Sequence, residues 1–218
     1  MINYKMVFVL MLVNVSQVNA IVLNGNVAGQ FSEEAGKASL EWGTPQFPVP
    51  IGKKSSLSYE GIDNFTTEGG ERFKIATLIY SNTRITQSSS YDLSVSNKSL
   101  DLLVDFTSPI EISGFSFNYD LMITETDNSS GDTDDRVRLI PANDFNASFS
   151  LNNQDFIFEL IGFDNGSGGF ENSFTQSEDT ISSVDLYAKI TAVPIPSALW
   201  LFMTALSGFI ITGNRKRK

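Results

Sequence analysis

The chain of 218 residues contains no cysteine and no histidine. Without cysteine no disulfide can staple the fold, so stability has to come from packing or from a bound ion. Without either residue the usual ligands of zinc and transition metals are missing, and so are the Ser-His-Asp and Cys-His nucleophile arrangements. Of the common catalytic schemes, chiefly paired carboxylates survive. Helical periodicity is also lacking between Ile21 and Ala192, as is any internal repeat or long linker. Positive charge is scarce in that stretch, which holds all 25 acids but only 10 of the 15 bases, a net charge of −15. Such an acidic surface argues against nucleic acid or an anionic membrane as a partner and favours solubility, cations or neutral polymers.

What the chain does have is an uncharged apolar run at each end. Met1 to Ala20 carries Lys5, an apolar run from Met6 to Val15, and then Val18-Asn19-Ala20, small or modest residues where a signal peptidase reads. This predicts a secretory signal over 1–20, removed by signal peptidase; its apolar part is too short for a stable membrane span. At the other end Pro194 and Pro196 lack backbone donors, so a helix starts only after them, near Ala198, with Ser197 as N-cap. From Ser197 to Gly213 no side chain is charged. Seventeen helical residues span roughly 26 Å, just short of a hydrocarbon core of roughly 30 Å. Arg215-Lys216-Arg217-Lys218 would be held on the cytoplasmic side, leaving everything upstream outside.

The stretch 21–192 reads as strands. Leu100, Leu102, Val104 and Phe106 alternate with other residues, as do Phe115, Phe117, Tyr119, Leu121 and Ile123. Phe156, Phe158 and Leu160 repeat the pattern, as do Val184, Leu186, Ala188 and Ile190, while Phe73–Tyr80 and Val137–Ile140 are shorter candidates. Gly69-Gly70, Asn128 to Gly131 and Asn165 to Gly169 separate them as turns. About ten short strands, with phenylalanine as the main core filler, predict one antiparallel β-sandwich of jelly-roll type. The whole chain is then all-β up to Ala192, followed by one C-terminal transmembrane helix within 193–218.

Three groups of residues are candidates for chemistry. Asp127 to Asp135 is a loop with carboxylates at Asp127, Asp132, Asp134 and Asp135, and calcium takes six to eight oxygens from such loops. The spacing is not that of an EF-hand, since glycine falls at the fifth place and Arg138 at the twelfth, so a solvated turn stands beside the calcium reading. Carboxylate pairs for glycoside hydrolysis are conceivable at Glu125 with Asp120 or Glu159 with Asp164, although chance pairs are expected among 25 acids. Trp42, Tyr59 and Tyr91 sit in loop-like surroundings where exposed rings could stack on sugars, with core packing as the plainer reading of Trp42.

Two stretches resemble known families. Val193-Pro194-Ile195-Pro196, then Ala198, Trp200-Leu201-Phe202, a span bearing Gly208 and the basic end together resemble the VPxP variant of the PEP-CTERM sorting signal of Gram-negative bacteria. Ile195 stands where the family's name motif has Glu. The resemblance implies handling by an exosortase, a membrane-embedded cysteine transpeptidase that cuts near the proline motif, with Val193, Pro194 and Pro196 as sorting residues. Upstream, Trp42-Gly43-Thr44-Pro45, Ser56 to Gly61, Phe73 to Asn82, Leu100 to Phe106, Phe115 to Thr126, Asp135-Arg136-Val137 and Leu186 to Thr191 resemble the choice-of-anchor K domain, also seen as the THxN family. The name motif would fall on Ile79-Tyr80-Ser81-Asn82, keeping only the Asn. This resemblance implies a secreted or surface domain and carries over no catalytic residue. The expectation is therefore an exported, non-catalytic protein, held in the membrane as an intermediate and then placed at the cell surface or secreted, which contacts biofilm exopolysaccharide. A carboxylate glycoside hydrolase and a purely structural or adhesive surface protein are the alternatives.

Overall fold

A computed structural model of the chain describes residues 21–31, 37–45, 54–86, 94–109, 111–126, 134–140 and 146–194. Fourteen strands run through them: β1 (Val22–Phe31), β2 (Ser39–Trp42), β3 (Thr44–Pro45), β4 (Ser55–Glu68), β5 (Arg72–Asn82), β6 (Ile85–Thr86) and β7 (Ser94–Ser108) in the first half. The second half supplies β8 (Ile112–Thr124), β9 (Asp135–Ile140), β10 (Asn146–Leu151), β11 (Gln154–Asp164), β12 (Phe170–Glu171), β13 (Ser173–Gln176) and β14 (Thr180–Ala192). All pairings are antiparallel, and one continuous path runs β10-β11-β14-β5-β4-β1-β7-β8-β9-β13, with β12 added to β11 and β2 to β4. The all-β antiparallel class is thus observed, and there is no helix among the described residues.

The sheet curls on itself, and β4 is the strand about which it turns. Its first half, Ser56 to Gly61, pairs with β5, whereas its second half, Ile62 to Glu68, pairs with β1. One strand thereby belongs to both halves of the sheet, and the two halves face each other in the manner of a sandwich. Phe117 of β8 stacks on Phe158 of β11 with ring centroids 4.4 Å apart. Phe106 of β7 stacks on Phe149 of β10 at 5.1 Å, and Phe65 of β4 meets Phe73 of β5 at 4.8 Å. Each such buried ring contributes about 1.5–3 kcal/mol through lost water contact, with about 0.5–1.5 kcal/mol more where rings pair well.

The alternation predicted for β7, β8, β11 and β14 is what places those rings. Leu100, Leu102, Val104 and Phe106 all point inward and are buried, while Leu103 between them is exposed. Strands β1 and β4 escape that reading for a physical reason. On β1 the inward positions run Leu23, Gly25, Val27, Gly29, Phe31, so glycine interrupts the apolar series. A Cβ on Gly25 would lie 2.7 Å from the Phe65 ring and one on Gly29 2.5 Å from the Tyr59 ring. The Phe65 and Tyr59 rings of β4 thus occupy space that side chains at Gly25 and Gly29 of β1 would take. The strands are also longer than expected, up to 15 residues in β7, because bulges let them bend with the sheet.

The described chain leaves this sheet at the last residues of β14. Val193 donates its N–H to the carbonyl of Asp155 at 2.8 Å, and its own carbonyl accepts from Gln154 Nε2 at 2.7 Å. Val193 and Pro194 are therefore placed beside β11, while Pro196, the helix expected from Ala198 and the expected signal over Met1 to Ala20 lie outside the described residues. Among the described residues no helix is long and apolar enough to cross a membrane.

Candidate functional site

The chemistry collects where two turns meet. Glu125 follows the last residue of β8, Asp135 opens β9, and Glu178 sits in the tight turn between β13 and β14. β9 and β13 pair with Gln176 opposite Asp135, which brings the two turns to the same end of the sandwich. One carboxylate oxygen from each of Glu125, Asp135 and Glu178 lies within 4.8 Å of the other two. Glu125 is 5% exposed and Asp135 is fully buried, with Glu178 half-buried beside them.

Donors from the facing half of the sheet hold two of these acids. The Trp42 indole Nε1, at the end of β2, donates to Glu125 Oε2 at 2.8 Å. The Tyr80 hydroxyl, on β5, donates to Asp135 Oδ2 at 2.8 Å. Asp135 Oδ1 accepts from both the backbone N–H and the hydroxyl of Thr126, each at 2.8 Å. Trp42 and Tyr80 themselves pack with centroids 5.6 Å apart, so the donors are held as a pair. Glu125 Oε1 and both carboxylate oxygens of Glu178 are buried and have no hydrogen-bond partner.

This crowding moves Glu125 and Glu178 upward. Burial is the largest cause of the rise of Glu125 to about 8, opposed by the Trp42 hydrogen bond and reinforced by the Asp135 and Glu178 charges. Glu178 is pushed up to about 7 by burial and by Asp135 and Asp179, with Arg84 pulling the other way. Arg84 is already paired, its Nε 2.9 Å from Asp179 Oδ2. Burial, then Asp135, holds the Tyr80 phenol far above its usual range, so it stays a donor. Glu125 and Glu178 can thus keep protons at neutral pH or give them up to a cation.

The residues singled out in the sequence fall in several places. Of the acidic loop, Asp135 enters this cluster; Asp134 is exposed and accepts from Ser177 Oγ at 2.7 Å, and Asp127 and Asp132 lie outside the described residues. Tyr59 is a core residue, 4% exposed, with Gly29 against its ring, so it has no face left for a sugar. Trp42 is half-buried and its indole N–H is spent on Glu125; Tyr91 lies outside the described residues. Of the suspected acid pairs, Asp120 is half-buried on β8 while Glu125 is buried, and Asp164 accepts from Gly166 N at 2.8 Å while Glu159 is half-buried on β11. Glu178 was missed because its partners are 53 and 43 residues upstream, and no local spacing announces a site assembled from two turns.

A second feature lies on the outer face of the sheet. Phe170 on β12 is half-exposed, with the Arg72 guanidinium carbon 4.9 Å from its ring centroid and the Tyr187 ring edge-on at 5.1 Å. Phe170 and Arg72 border an open depression of about 630 Å³ that Asn146 and Glu159 also line. No protein-family model matches the chain, and no curated protein matches it in sequence. Fold and site alone therefore set the class: an antiparallel, sandwich-like β domain with a buried acid cluster between two turns and an aromatic–guanidinium patch outside.

Proposed function

We propose that this chain is an exported, non-catalytic surface protein, sorted through its PEP-CTERM-like tail by an exosortase, whose jelly-roll-like sandwich contacts exopolysaccharide. In this reading 1–20 is the signal peptide, 193–218 carries the sorting residues Val193, Pro194 and Pro196 with the transmembrane helix, and the protein passes from a membrane intermediate to the surface. The observation that supports polymer contact is the outer patch around Phe170. An exposed ring with guanidinium, amide and carboxylate groups beside it is the mixture that orients a sugar, the ring covering apolar C–H faces while the polar groups meet hydroxyls. Arg72 adds a planar fork suited to any carboxylate the polymer carries. The position of Tyr59 in the core moves the expected sugar contact from the loops to this face.

The test is co-sedimentation of the full chain with exopolysaccharide from the producing cell, comparing wild type with Phe170→Ala and Arg72→Ala. Both positions lie on the surface side of the sheet, so the variants are expected to fold. Saccharide binding at this patch predicts at least a tenfold loss in each. Wild type that stays in the supernatant refutes polymer contact and leaves a structural or adhesive protein. Deleting residues 193–218 is expected to abolish exosortase-dependent processing in the producing cell, read as a mass change; unchanged processing refutes the sorting assignment.

A further inference from the structure

We propose that Glu125, Asp135 and Glu178 form a calcium site that ties the β8–β9 connection to the β13–β14 turn. The inference stands on a different end of the molecule from Phe170 and does not rest on polymer contact. Its first support is size. Calcium–oxygen distances of about 2.3–2.6 Å let one ion reach oxygens up to about 5 Å apart, whereas magnesium, at about 2.0–2.1 Å, reaches only about 4.2 Å. The three carboxylate oxygens lie within 4.8 Å of one another, inside the reach of one calcium ion.

The second support is the state of the oxygens. Glu125 is 5% exposed, one of its oxygens is fixed by Trp42, and the other is buried without a partner. Asp135 is held by Tyr80 and Thr126, so its position is set before any ion arrives. Both oxygens of Glu178 are buried and unpartnered. Asn82, beside Glu178, donates its amide to the Gln176 carbonyl at 3.1 Å and keeps a buried Oδ1 without a partner. Buried carboxylates with spare lone pairs are costly unless a cation or protons satisfy them. Arg84 does not serve, since Asp179 holds it. A hard divalent ion with an all-oxygen shell answers each of these features, with water completing the six to eight ligands. In a chain without cysteine the ion would do the cross-linking that a disulfide does elsewhere, joining residues 53 positions apart.

The test uses the full chain, stripped with a chelator and titrated with CaCl2 or MgCl2 at pH 7.5, followed by calorimetry and thermal unfolding. The expected result is one calcium per chain. At a hundredfold excess over Kd, Tm is expected to rise by roughly 5 to 10 °C. Glu178→Gln, in a half-buried turn where losing a charge relieves repulsion, is expected to fold in chelator and to bind calcium at least tenfold more weakly. Asp134→Asn, an exposed acid outside the cluster, is expected to bind as wild type does. The proposal is overturned if calcium leaves wild-type Tm unmoved, if Glu178→Gln titrates like wild type, or if magnesium acts equally at the same concentration.

Discussion

Replacing Glu125 by glutamine should make the calcium-free protein more stable, against the usual result for a buried, hydrogen-bonded residue. An acid held near 8 in the folded chain and near 4.5 once unfolded keeps its proton in one state and loses it in the other. The folded state then binds more protons, so stability is whole below about pH 4.5 and falls as pH rises toward 8, by at most about 1.4 kcal/mol per pH unit. Allowing for relaxation of the neighbouring acids, the loss by pH 8 is roughly 2–4 kcal/mol. A glutamine accepts from Trp42 through its carbonyl, as the glutamic acid does, but has no charge to suppress. At pH 8 in chelator the variant should therefore unfold roughly 4 to 16 °C above wild type, given about 2–4 °C per kcal/mol for a chain of this size. Its Tm should change less between pH 5 and 8, the remaining slope belonging to Glu178 and ending near pH 7. The assay is thermal unfolding by circular dichroism across that range in chelator. A variant that melts below wild type at pH 8, with its pH slope intact, refutes the picture of a strained acid.

Two further predictions concern the frame. Phe117→Ala removes a ring stacked at 4.4 Å on Phe158 across the two halves of the sheet and should cost about 3–5 kcal/mol, read from urea unfolding; a loss under about 1 kcal/mol would mean the halves do not pack through this pair. Gly162→Ala would place a Cβ 2.5 Å from the Glu171 carbonyl on a backbone with φ +128°, so it should lower stability by at least about 2 kcal/mol and free β12 from β11; unchanged hydrogen exchange at Phe163 and Asp164 would contradict that.

The strand class was legible because one buried face writes itself into every second residue. Leu100 to Phe106 and Phe117 to Ile123 carry that signal without interruption. It failed on β1, where Gly25 and Gly29 occupy inward positions, and on β4, where Gly61 and Asn64 break the series at the bend shared by both halves. Of the acid cluster, Asp135 stood out in the acidic loop and Glu125 as one of a carboxylate pair with Asp120, but nothing in the sequence joined them. Glu125 reaches Asp135 through the pairing of β8 with β9 and Glu178 through that of β9 with β13, contacts that no local pattern encodes, and Trp42 joins by reaching across the sandwich. Tyr59 shows the opposite error: a polar, glycine-rich neighbourhood looks like a loop in one dimension and is core in three, because the glycines are the floor on which its ring lies.

The place of β14 has a consequence for when the domain can form. It is the last strand among the described residues, yet it lies inside its layer, hydrogen-bonded to β11 on one side and β5 on the other. Leu186 pairs with Ala76, 110 residues earlier, so β5 waits through most of synthesis for its neighbour. Closing so long a loop is slow, and a nascent chain lacking these residues has two open sheet edges and no completed core. A polypeptide built this way cannot complete its core until β14 has been delivered, so the final assembly of the domain is a late event for which its earlier hairpins must wait.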